Sequence, residues 1–459
     1  MSKRRCFLPF LAAAHLLVGT SAAGQGIVDS TALEKIIAAE LVDTRTPGAA
    51  IAIVSGNQVV FARGFGVGSI ETGTPVTPDM LFRIGTLTKV FTAATVTILA
   101  QEGKFSLDAP IGECILGLPR GLARVTAHQL LTHTAGLRDE APAWGSRDAN
   151  GLARTVRSWT DEYFFTEPGR VFSYSNPGMT LAGYLAEHAT GQPYAELVEE
   201  RLLRPLGMRT ATFETTVAMT RPLAQGHNLT PTGAIVVRPF ADNTGFAPAG
   251  FLMASLRDLT RFAIAFVNKG RLDGNQVLPP AVMVKMSDEY APVHSGEDNA
   301  HTGYGLFVRD VQGVRVLEHH GTIPGYGAFL RLIPERQFAV ITLTNRSGGL
   351  LPRTVAAATR LFLNAPAGAK ASAIDFSDVD LADWPGKYSA PGYSVEIVKR
   401  RGALYLRRSA REEPIQKLSG HRFAVGSPAA GWQSYTVVRG VTGRVEYLHS
   451  QLHALTRQQ

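Results

Sequence analysis

Thr86 and Lys89 have the side-chain types and the spacing that covalent acyl transfer requires. Residues three apart on a helix share a face, so the hydroxyl and the amine are predicted to lie about one turn apart. The segment that follows, 90–103, is apolar on nearly every side, which is typical of a helix buried in a core. Burial disfavours the charged form of a lysine, and a neutral amine can accept a proton from a neighbouring hydroxyl. The pair alone also fits a capping threonine and a surface lysine, but the apolar helix argues against that alternative.

A second motif, Tyr174-Ser175-Asn176, lies on a tight turn before Pro177 and Gly178. A tyrosine two positions before an asparagine on such a turn can present both side chains to one point. Considered alone, the motif equally fits a tyrosine that packs on a loop.

The third motif is His319-His320-Gly321-Thr322, which follows a strand-like segment. A glycine after a polar strand residue allows a substrate backbone to lie alongside the strand. The alternatives are a surface histidine pair and part of a metal site. Successive strand residues point to opposite faces, so we expect no joint chelation, no metal and no cofactor.

The elements that must position these motifs can be predicted from the spacing of apolar residues. Segments 49–54 and 58–63 flank a Ser-Gly-Asn turn and predict a β-hairpin. Helical patterns follow at 126–134, 177–190 and 194–203, and strand-like alternation returns at 304–309 and 315–345. We therefore predict an α/β (α+β) fold in which both ends of residues 24–364 contribute to a central antiparallel sheet with an inserted helical region.

The two ends of the chain differ in character from this predicted domain. Residues 1–23 have a basic start, an apolar run and small residues before Gly24, the pattern of a cleaved export signal. The apolar run is shorter than the roughly 20 residues of a membrane span, which is the alternative. We expect a periplasmic or secreted protein. Residues 365–371 have a linker's composition, and 372–459 predict a small all-β module.

Composition excludes several function classes. Of 459 residues, 45% are hydrophobic and 18% are charged, which excludes wholesale disorder. Two cysteines exclude a Cys-rich metal module, and Cys114 is expected to be a packing residue. The net charge of +8 lies partly in the predicted leader, so no nucleic-acid partner is expected. We predict a small-molecule or peptide substrate and no membrane contact beyond the export signal.

In their order and separation, the three motifs resemble those of the serine β-lactamase and penicillin-recognising hydrolase superfamily. The resemblance is strongest to the branch of class C β-lactamases, D-Ala-D-Ala carboxypeptidases, D-aminopeptidases and family VIII esterases. It extends over about 30–363 and includes the stretches 128–137, 167–169, 204–208 and 249–255. It implies a β-lactamase/transpeptidase-like fold, with the site between the sheet and an all-helical region. The C-terminal segment is loosely similar to a β-barrel module of some members.

The resemblance also implies roles for individual residues. Thr86 takes the place of the nucleophile, Lys89 that of the base or its partner, and Tyr174 that of a proton shuttle. The implied substrate-binding residues are Asn176, His319, Gly321 and Thr322, and the N–H groups of Thr86 and Thr322 form the oxyanion hole. His133 lies in a stretch that is structural in the family.

The sequence departs from the family pattern at two positions. Thr86 replaces a serine, and its β-methyl restricts χ1 beside the hydroxyl. His319 stands where lactamases of this branch usually have a lysine, and a histidine is mostly neutral near pH 7. We therefore expect a hydrolase of small esters, amides or D-amino-acid peptides rather than an efficient β-lactamase. The alternatives are a catalytically weak or inactive sensor or scaffold that binds such ligands, and chemistry by Thr88 or an activated water.

Overall fold

A computed structural model describes residues 30–294, 300–311, 313–363, 374–409, 411–427 and 431–458. Its helices are α1 (Ser30–Asp43), α2 (Thr88–Gln101), α3 (Arg120–Ala123), α4 (Ala127–Leu131), α5 (Gly151–Arg157), α6 (Asn176–Thr190), α7 (Tyr194–Val198), α8 (Thr215–Ala218), α9 (Ala247–Gly250), α10 (Leu256–Val267), α11 (Pro280–Ser287), α12 (Pro352–Leu363) and α13 (Asp378–Asp383). The strands of the first part of the chain are β1 (Gly48–Ser55), β2 (Gln58–Gly66), β3 (Leu81–Arg83), β4 (His227–Thr230), β5 (Gly233–Val236), β6 (Met253–Ser255), β7 (Arg271–Leu272), β8 (Asn275–Gln276), β9 (Ala291–Pro292), β10 (His301–Thr302), β11 (Phe307–Val311), β12 (Val314–Ile323), β13 (Tyr326–Ile333) and β14 (Phe338–Thr344). The C-terminal strands are β15 (Gly386–Ala390), β16 (Tyr393–Arg400), β17 (Ala403–Arg408), β18 (Arg411–Lys417), β19 (Arg422–Ser427), β20 (Gly431–Arg439), β21 (Val445–Ser450) and β22 (His453–Arg457).

The central sheet is antiparallel and has the strand order β2-β1-β14-β13-β12-β11-β10-β9. The N-terminal hairpin thus pairs with strands from beyond residue 300, which confirms the prediction. Alternate residues of β1 face two cores, because successive strand side chains point to opposite faces. Ile51 and Ile53 pack on the side of α1 and α12, whereas Ala52 and Val54 pack on the side of α2 and α10. The mixed α/β architecture with helices on both faces is therefore confirmed.

Helix α2 lies inside the larger core, as its apolar sequence predicts. Every side chain from Thr88 to Leu99 is buried, and α6, α9 and α11 pack around the helix. The predicted helix at 126–134 ends at Leu131, and His133 adopts a left-handed backbone with φ 56° that a helix cannot continue. The predicted helix at 194–203 begins as α7 and continues as a π-helical segment over Glu199–Leu203.

The C-terminal module is a closed eight-stranded barrel, β15 to β22. Apolar alternation in the sequence predicts strands at 393–398, 403–407, 421–425, 433–439 and 444–450, which correspond to β16, β17, β19, β20 and β21, and misses β15, β18 and β22. Strand β18 carries acidic and basic residues and a proline, so it lacks an apolar alternation. Helix α13 precedes the barrel and is tied to it by the buried ion pair between Asp380 and Lys417 at 2.5 Å. The predicted leader, 1–23, and the predicted linker, 365–371, lie outside the described residues.

One end of the barrel packs against the first part of the chain. The backbone N–H of Tyr174 donates to the carbonyl of Leu452 in the β21–β22 turn, at 2.8 Å. The hydroxyls of Thr166 and Tyr447 lie 2.7 Å apart, and Val171 shares a small apolar cluster with Tyr447. The barrel thus touches the chain immediately next to one of the predicted site residues. Among the described residues, no helix combines the length and apolarity that crossing a bilayer needs.

Candidate active site

Thr86 lies on the 3₁₀ turn Gly85–Leu87 that leads into α2. Gly85 has φ 54°, and a Cβ there would meet the backbone of Thr322 at 2.6 Å, so only glycine allows this approach. The Thr86 hydroxyl donates to the carbonyl of His320 at 3.1 Å and accepts from the backbone N–H of Thr322 at 3.2 Å. The predicted nucleophile therefore lies against β12, next to one of the two N–H groups assigned to the oxyanion hole.

Lys89 is completely buried one turn further along the helix. Its Nζ donates to Oδ1 of Asn176 and to the carbonyl of Ala249, both at 2.6 Å, and lies 4.8 Å from the centre of the Tyr174 ring. Desolvation lowers the pKa of Lys89 to about 7, while the charge of Asp139 raises it. A substantial fraction of the amine is therefore neutral near pH 7, as the sequence argument requires.

Tyr174 is buried beside this lysine. Burial raises the pKa of its phenol above the usual value, and the negative charge of Asp139 adds to the effect, while a side-chain hydrogen bond with Thr86 acts in the opposite direction. The ring lies 4.6 Å from the ring of His133, measured between centres. At neutral pH the phenol keeps its proton and contacts the predicted nucleophile.

Asn176 begins α6, and the side chain of the preceding Ser175 caps that helix by accepting from the N–H of Gly178. The backbone N–H and Nδ2 of Asn176 both donate to Oδ1 of Asp139, at 2.8 and 2.9 Å. The amide is oriented by this pair of contacts, with its oxygen towards Lys89.

His319 and Gly321 are not among the residues that line the cavity beside Thr86. His319 is 2% exposed, its Nδ1 is 2.6 Å from the carbonyl of His320, and burial holds its pKa well below the usual value. It is therefore neutral, as expected. A Cβ at Gly321 would lie 1.9 Å from the carbonyl oxygen of Ile84, so this glycine allows β12 to approach the 3₁₀ turn. Contact of either residue with a substrate stays a prediction, whereas Thr322 and His320 do line the cavity.

A cavity of about 370 Å³ opens beside Thr86. The described residues that line it are Thr86, Asp139, Ala141, Ala143, Tyr174, Asn176, Phe246, Ala249, Gly250, Phe251, His320, Thr322, Ile323, Pro324, Gln451, Leu452 and His453. Four residues predicted from three separate motifs thus meet at one opening. No arginine or lysine is among these lining residues.

Two charged or titratable residues of the cavity were not predicted, Asp139 and His453. Nε2 of His453 donates to Oδ2 of Asp139 at 3.0 Å, so the barrel contributes directly to the cavity wall. Asp139 follows the stretch 128–137 by two positions, which is the only sequence signal that could have drawn attention to it. No local pattern marks His453.

Two other candidates from the sequence have structural contacts. The Thr88 hydroxyl donates to the carbonyl of Gly85 at 2.7 Å and accepts from the N–H of Leu252 at 3.1 Å, in a fully buried position. Nδ1 of His133 accepts from the N–H of Ser175 at 3.1 Å, and burial lowers the pKa of His133 to about 3. Both side chains therefore hold backbone in place around the site.

The arrangement of a hydroxyl, a buried amine and a phenol at the edge of an antiparallel sheet can be compared with known proteins. The family model described as Beta-lactamase matches residues 33–365. The chain belongs to the β-lactamase family. That family consists of hydrolases, and the match covers both the sheet and the helical region.

Among curated relatives in the β-lactamase family, protein flp of Staphylococcus aureus strain MW2 is 26% identical over 336 residues. This alignment covers 70% of the chain and 64% of flp, so the chain spans somewhat less than two thirds of that relative. Unguisins hydrolase ungD' of Aspergillus campestris is 29% identical over 319 residues, which cover 65% of the chain and 58% of that hydrolase.

Solved structures extend the likeness to the barrel. The crystal structure of SurE matches with a TM-score of 0.75 and 25% identity over 93% of this chain and 99% of SurE. A penicillin-binding protein homologue from Pyrococcus abyssi, described as octameric, matches with a TM-score of 0.64 and 23% identity over 93% of this chain and 99% of its own. A D-amino acid amidase from Ochrobactrum anthropi SV3 shares the fold over 73% of the chain and 98% of its own, with a TM-score of 0.61 and 24% identity. The β-lactamase-like fold and the additional barrel therefore occur together in known structures.

Proposed function

We propose that this β-lactamase-family protein is an exported hydrolase that forms an acyl-enzyme on Thr86. The observation that carries the proposal is the convergence of Thr86, Tyr174, Asn176 and Thr322 at one cavity, with the buried Lys89 bonded to Asn176. The Thr86 hydroxyl contacts Tyr174, whose ring lies 4.8 Å from a buried amine with a pKa of about 7, so the hydroxyl can be activated at neutral pH without a metal or a cofactor.

The proposed reaction has two halves. In the first, Oγ1 of Thr86 attacks the substrate carbonyl carbon, and its proton passes to the oxygen of Tyr174 while the phenol gives its own proton to the neutral Lys89. The oxyanion accepts hydrogen bonds from the N–H groups of Thr86 and Thr322, and the leaving group departs with a proton from Tyr174. Lys89 then returns its proton to Tyr174. In the second half, water gives a proton to Lys89 through Tyr174 as it attacks the Thr86 ester, and that proton passes to Oγ1 of Thr86 as the acid is released.

Small esters, amides and D-amino-acid peptides are the substrates that we propose, in preference to β-lactams. The cavity beside Thr86, which we call the catalytic cavity, has no lysine or arginine in its described lining to bind a β-lactam carboxylate. His319 is neutral and buried. The similarity to SurE, of which a structure with D-Leu is known, supports a substrate that contains a D-amino acid. The leader-like residues 1–23 support export to the periplasm or the medium, and cell fractionation with an antibody against the barrel tests this.

One observation favours a second candidate function, a sensor or scaffold that binds such ligands with little turnover. The Thr86 hydroxyl is engaged by His320 and Thr322 of β12, so part of the oxyanion hole is occupied by the nucleophile itself. Its β-methyl limits the rotamers through which the hydroxyl can turn towards a substrate.

Turnover of p-nitrophenyl acetate, a chromogenic cephalosporin and D-alanine p-nitroanilide by the purified protein separates the two functions. The hydrolase proposal predicts measurable ester or amide hydrolysis that is lost in Thr86→Ala. Hydrolysis should be kept in Thr88→Ser, which removes only a methyl group and keeps the buried structural hydroxyl. No turnover in the natural protein, with activity appearing in Thr86→Ser, would instead support the binding function. Activity that survives Thr86→Ala would contradict the role of Thr86.

A further inference from the structure

A second cavity lies between the barrel and the first part of the chain, and none of the predicted catalytic residues lines it. Its volume is about 440 Å³, slightly larger than that of the catalytic cavity. The two cavities share Asp139, Gln451 and His453 as lining residues. They are therefore neighbours, separated by the Asp139–His453 pair and the β21–β22 turn.

Part of the wall of the second cavity is apolar. Phe165 contributes from the first part of the chain, and Pro391, Tyr393 and Leu455 contribute from the end of the barrel. Apolar walls of this size suit a side chain such as that of leucine or phenylalanine.

The same cavity also contains an arginine with one unsatisfied donor among the described residues. Arg138 lines it, and Nε of Arg138 is buried with no hydrogen-bond partner among the described residues. The other arginine of the cavity, Arg408, is neutralised by Glu413 and bonded to Gln433. A buried guanidinium nitrogen without an acceptor is costly, and carboxylates fit its fork of donors.

Asp139, the nearest carboxylate in sequence, does not supply this acceptor. Its two oxygens are occupied, Oδ1 by Asn176 and Oδ2 by His453. Nε of Arg138 therefore lacks an acceptor at the second cavity, where apolar side chains also line the wall. An apolar amino acid with a free carboxylate combines the two features that this cavity would complement.

The second cavity lies close to Tyr174, which bears on the part of a substrate that it would bind. The ring of His453, on the boundary between the cavities, lies 6.2 Å from the ring of Tyr174, centre to centre. Tyr174 is the group that gives its proton to the leaving group in the proposed reaction. The second cavity therefore adjoins Tyr174 through the Asp139–His453 pair.

We propose that the second cavity is a subsite for the leaving residue of a peptide, an apolar amino acid whose terminal carboxylate binds to Arg138. This proposal rests on the proposed function for its assignment to the leaving group. It gives the protein a carboxylate-binding cation that the catalytic cavity lacks, and it makes the barrel part of substrate recognition.

The test compares N-acetyl-D-alanyl-D-leucine with its C-terminal amide, which differs only in the charge of the end group. For the natural protein we expect kcat/KM to be at least about tenfold higher for the acid, the ratio that one charge-assisted hydrogen bond supplies. In Arg138→Gln the acid should lose its advantage, and Arg138→Lys should restore part of it. Arg444→Gln, at an exposed turn at the opposite end of the barrel, removes the same charge and should leave the ratio unchanged.

A binding measurement distinguishes failure of this subsite from failure of the proposed chemistry. Calorimetry of the two peptides with Thr86→Ala needs no turnover, and the acid should again bind about tenfold more tightly than the amide. A protein without turnover that still shows this difference, dependent on Arg138, would contradict only the proposed hydrolysis. Equal binding of the acid and the amide, no binding of either, or a difference that persists in Arg138→Gln would overturn the subsite.

Discussion

Nζ of Lys89 lies 2.6 Å from Oδ1 of Asn176, so the first turn of α2 is joined to the first residue of α6. The same amine donates to the carbonyl of Ala249 at the end of α9. Three helices therefore meet at one buried nitrogen whose pKa is lowered to about 7. The contact holds the buried amine beside the ring of Tyr174, whose side chain contacts the predicted nucleophile.

Replacement of the Lys89 amine should lower the activity and leave the thermal stability nearly unchanged. We expect Lys89→Met to lower kcat/KM for an ester by about a thousandfold, because a positioned proton acceptor contributes roughly two to four orders of magnitude. The thermal midpoint, followed by circular dichroism, should stay near that of the natural protein because methionine fills the same buried volume without an ionisable group. Ester turnover that falls less than about tenfold would contradict the assigned role.

The rate should depend on pH through the ionisation of Lys89. Since its pKa is about 7 and its neutral form is the active one, kcat/KM should rise as pH increases through 7. His133 and His319 do not contribute near this pH, because burial lowers the pKa of both far below it. A profile that is flat between pH 5.5 and 8.5, or that falls as pH rises through 7, would count against Lys89 as the base.

The charge of Asp139 should set the position of that profile. Asp139 raises the pKa of Lys89, so Asp139→Asn should lower this pKa and move the rise in kcat/KM to lower pH. Asn keeps an acceptor for the N–H of Asn176. Asp273→Asn is the matched control, since Asp273 lies far from the cavity on an exposed turn with φ 51° that asparagine tolerates. A shift to higher pH, or an equal shift in the control, would be incompatible with this explanation.

Gly321→Ala tests the close approach of β12 to the 3₁₀ turn. The new Cβ would lie 1.9 Å from the carbonyl oxygen of Ile84, so backbone must move. We expect a loss of about 1–3 kcal/mol in the free energy of unfolding, as for other overpacked sites, together with lower activity. Gly420→Ala meets open space and serves as the control in the same urea titration. If both variants unfold at the same urea concentration as the natural protein, the close contact is not important for stability.

The sequence predicts well those features that depend on neighbours along the chain. The apolar run after Lys89 predicts a buried helix, and the Ser-Gly-Asn turn predicts the hairpin, because both signals are local. Tyr174 and Asn176 reach the cavity together because Ser175 starts a helix between them. In these cases local conformation alone determines where the side chains point.

Features that depend on distant contacts could not be predicted in the same way. Asp139 and His453 are 314 positions apart, and their contact exists only because the barrel docks beside the cavity. The alternation of β12 predicts opposite sides for His319 and His320, which is wrong for the rings: their centres lie 5.7 Å apart, and both rings lie near that of Phe307. The barrel strand β18 was missed because its charged residues pair across strands, as Arg407 does with Glu412 at 2.7 Å, instead of alternating with apolar ones.

Acylation of Thr86 can be detected by intact-mass analysis after brief exposure to a p-nitrophenyl ester. Trypsin cleaves after Arg83 and Lys89, so the hexapeptide 84–89 carries both Thr86 and Thr88, and fragmentation assigns the modified hydroxyl. We expect the protein to gain the mass of one acyl group on Thr86. This gain should be absent in Thr86→Ala and present in Thr88→Ser. An adduct on Thr88, an adduct that survives Thr86→Ala, or no adduct under conditions in which Thr86→Ser is acylated would contradict the proposed acylation of Thr86.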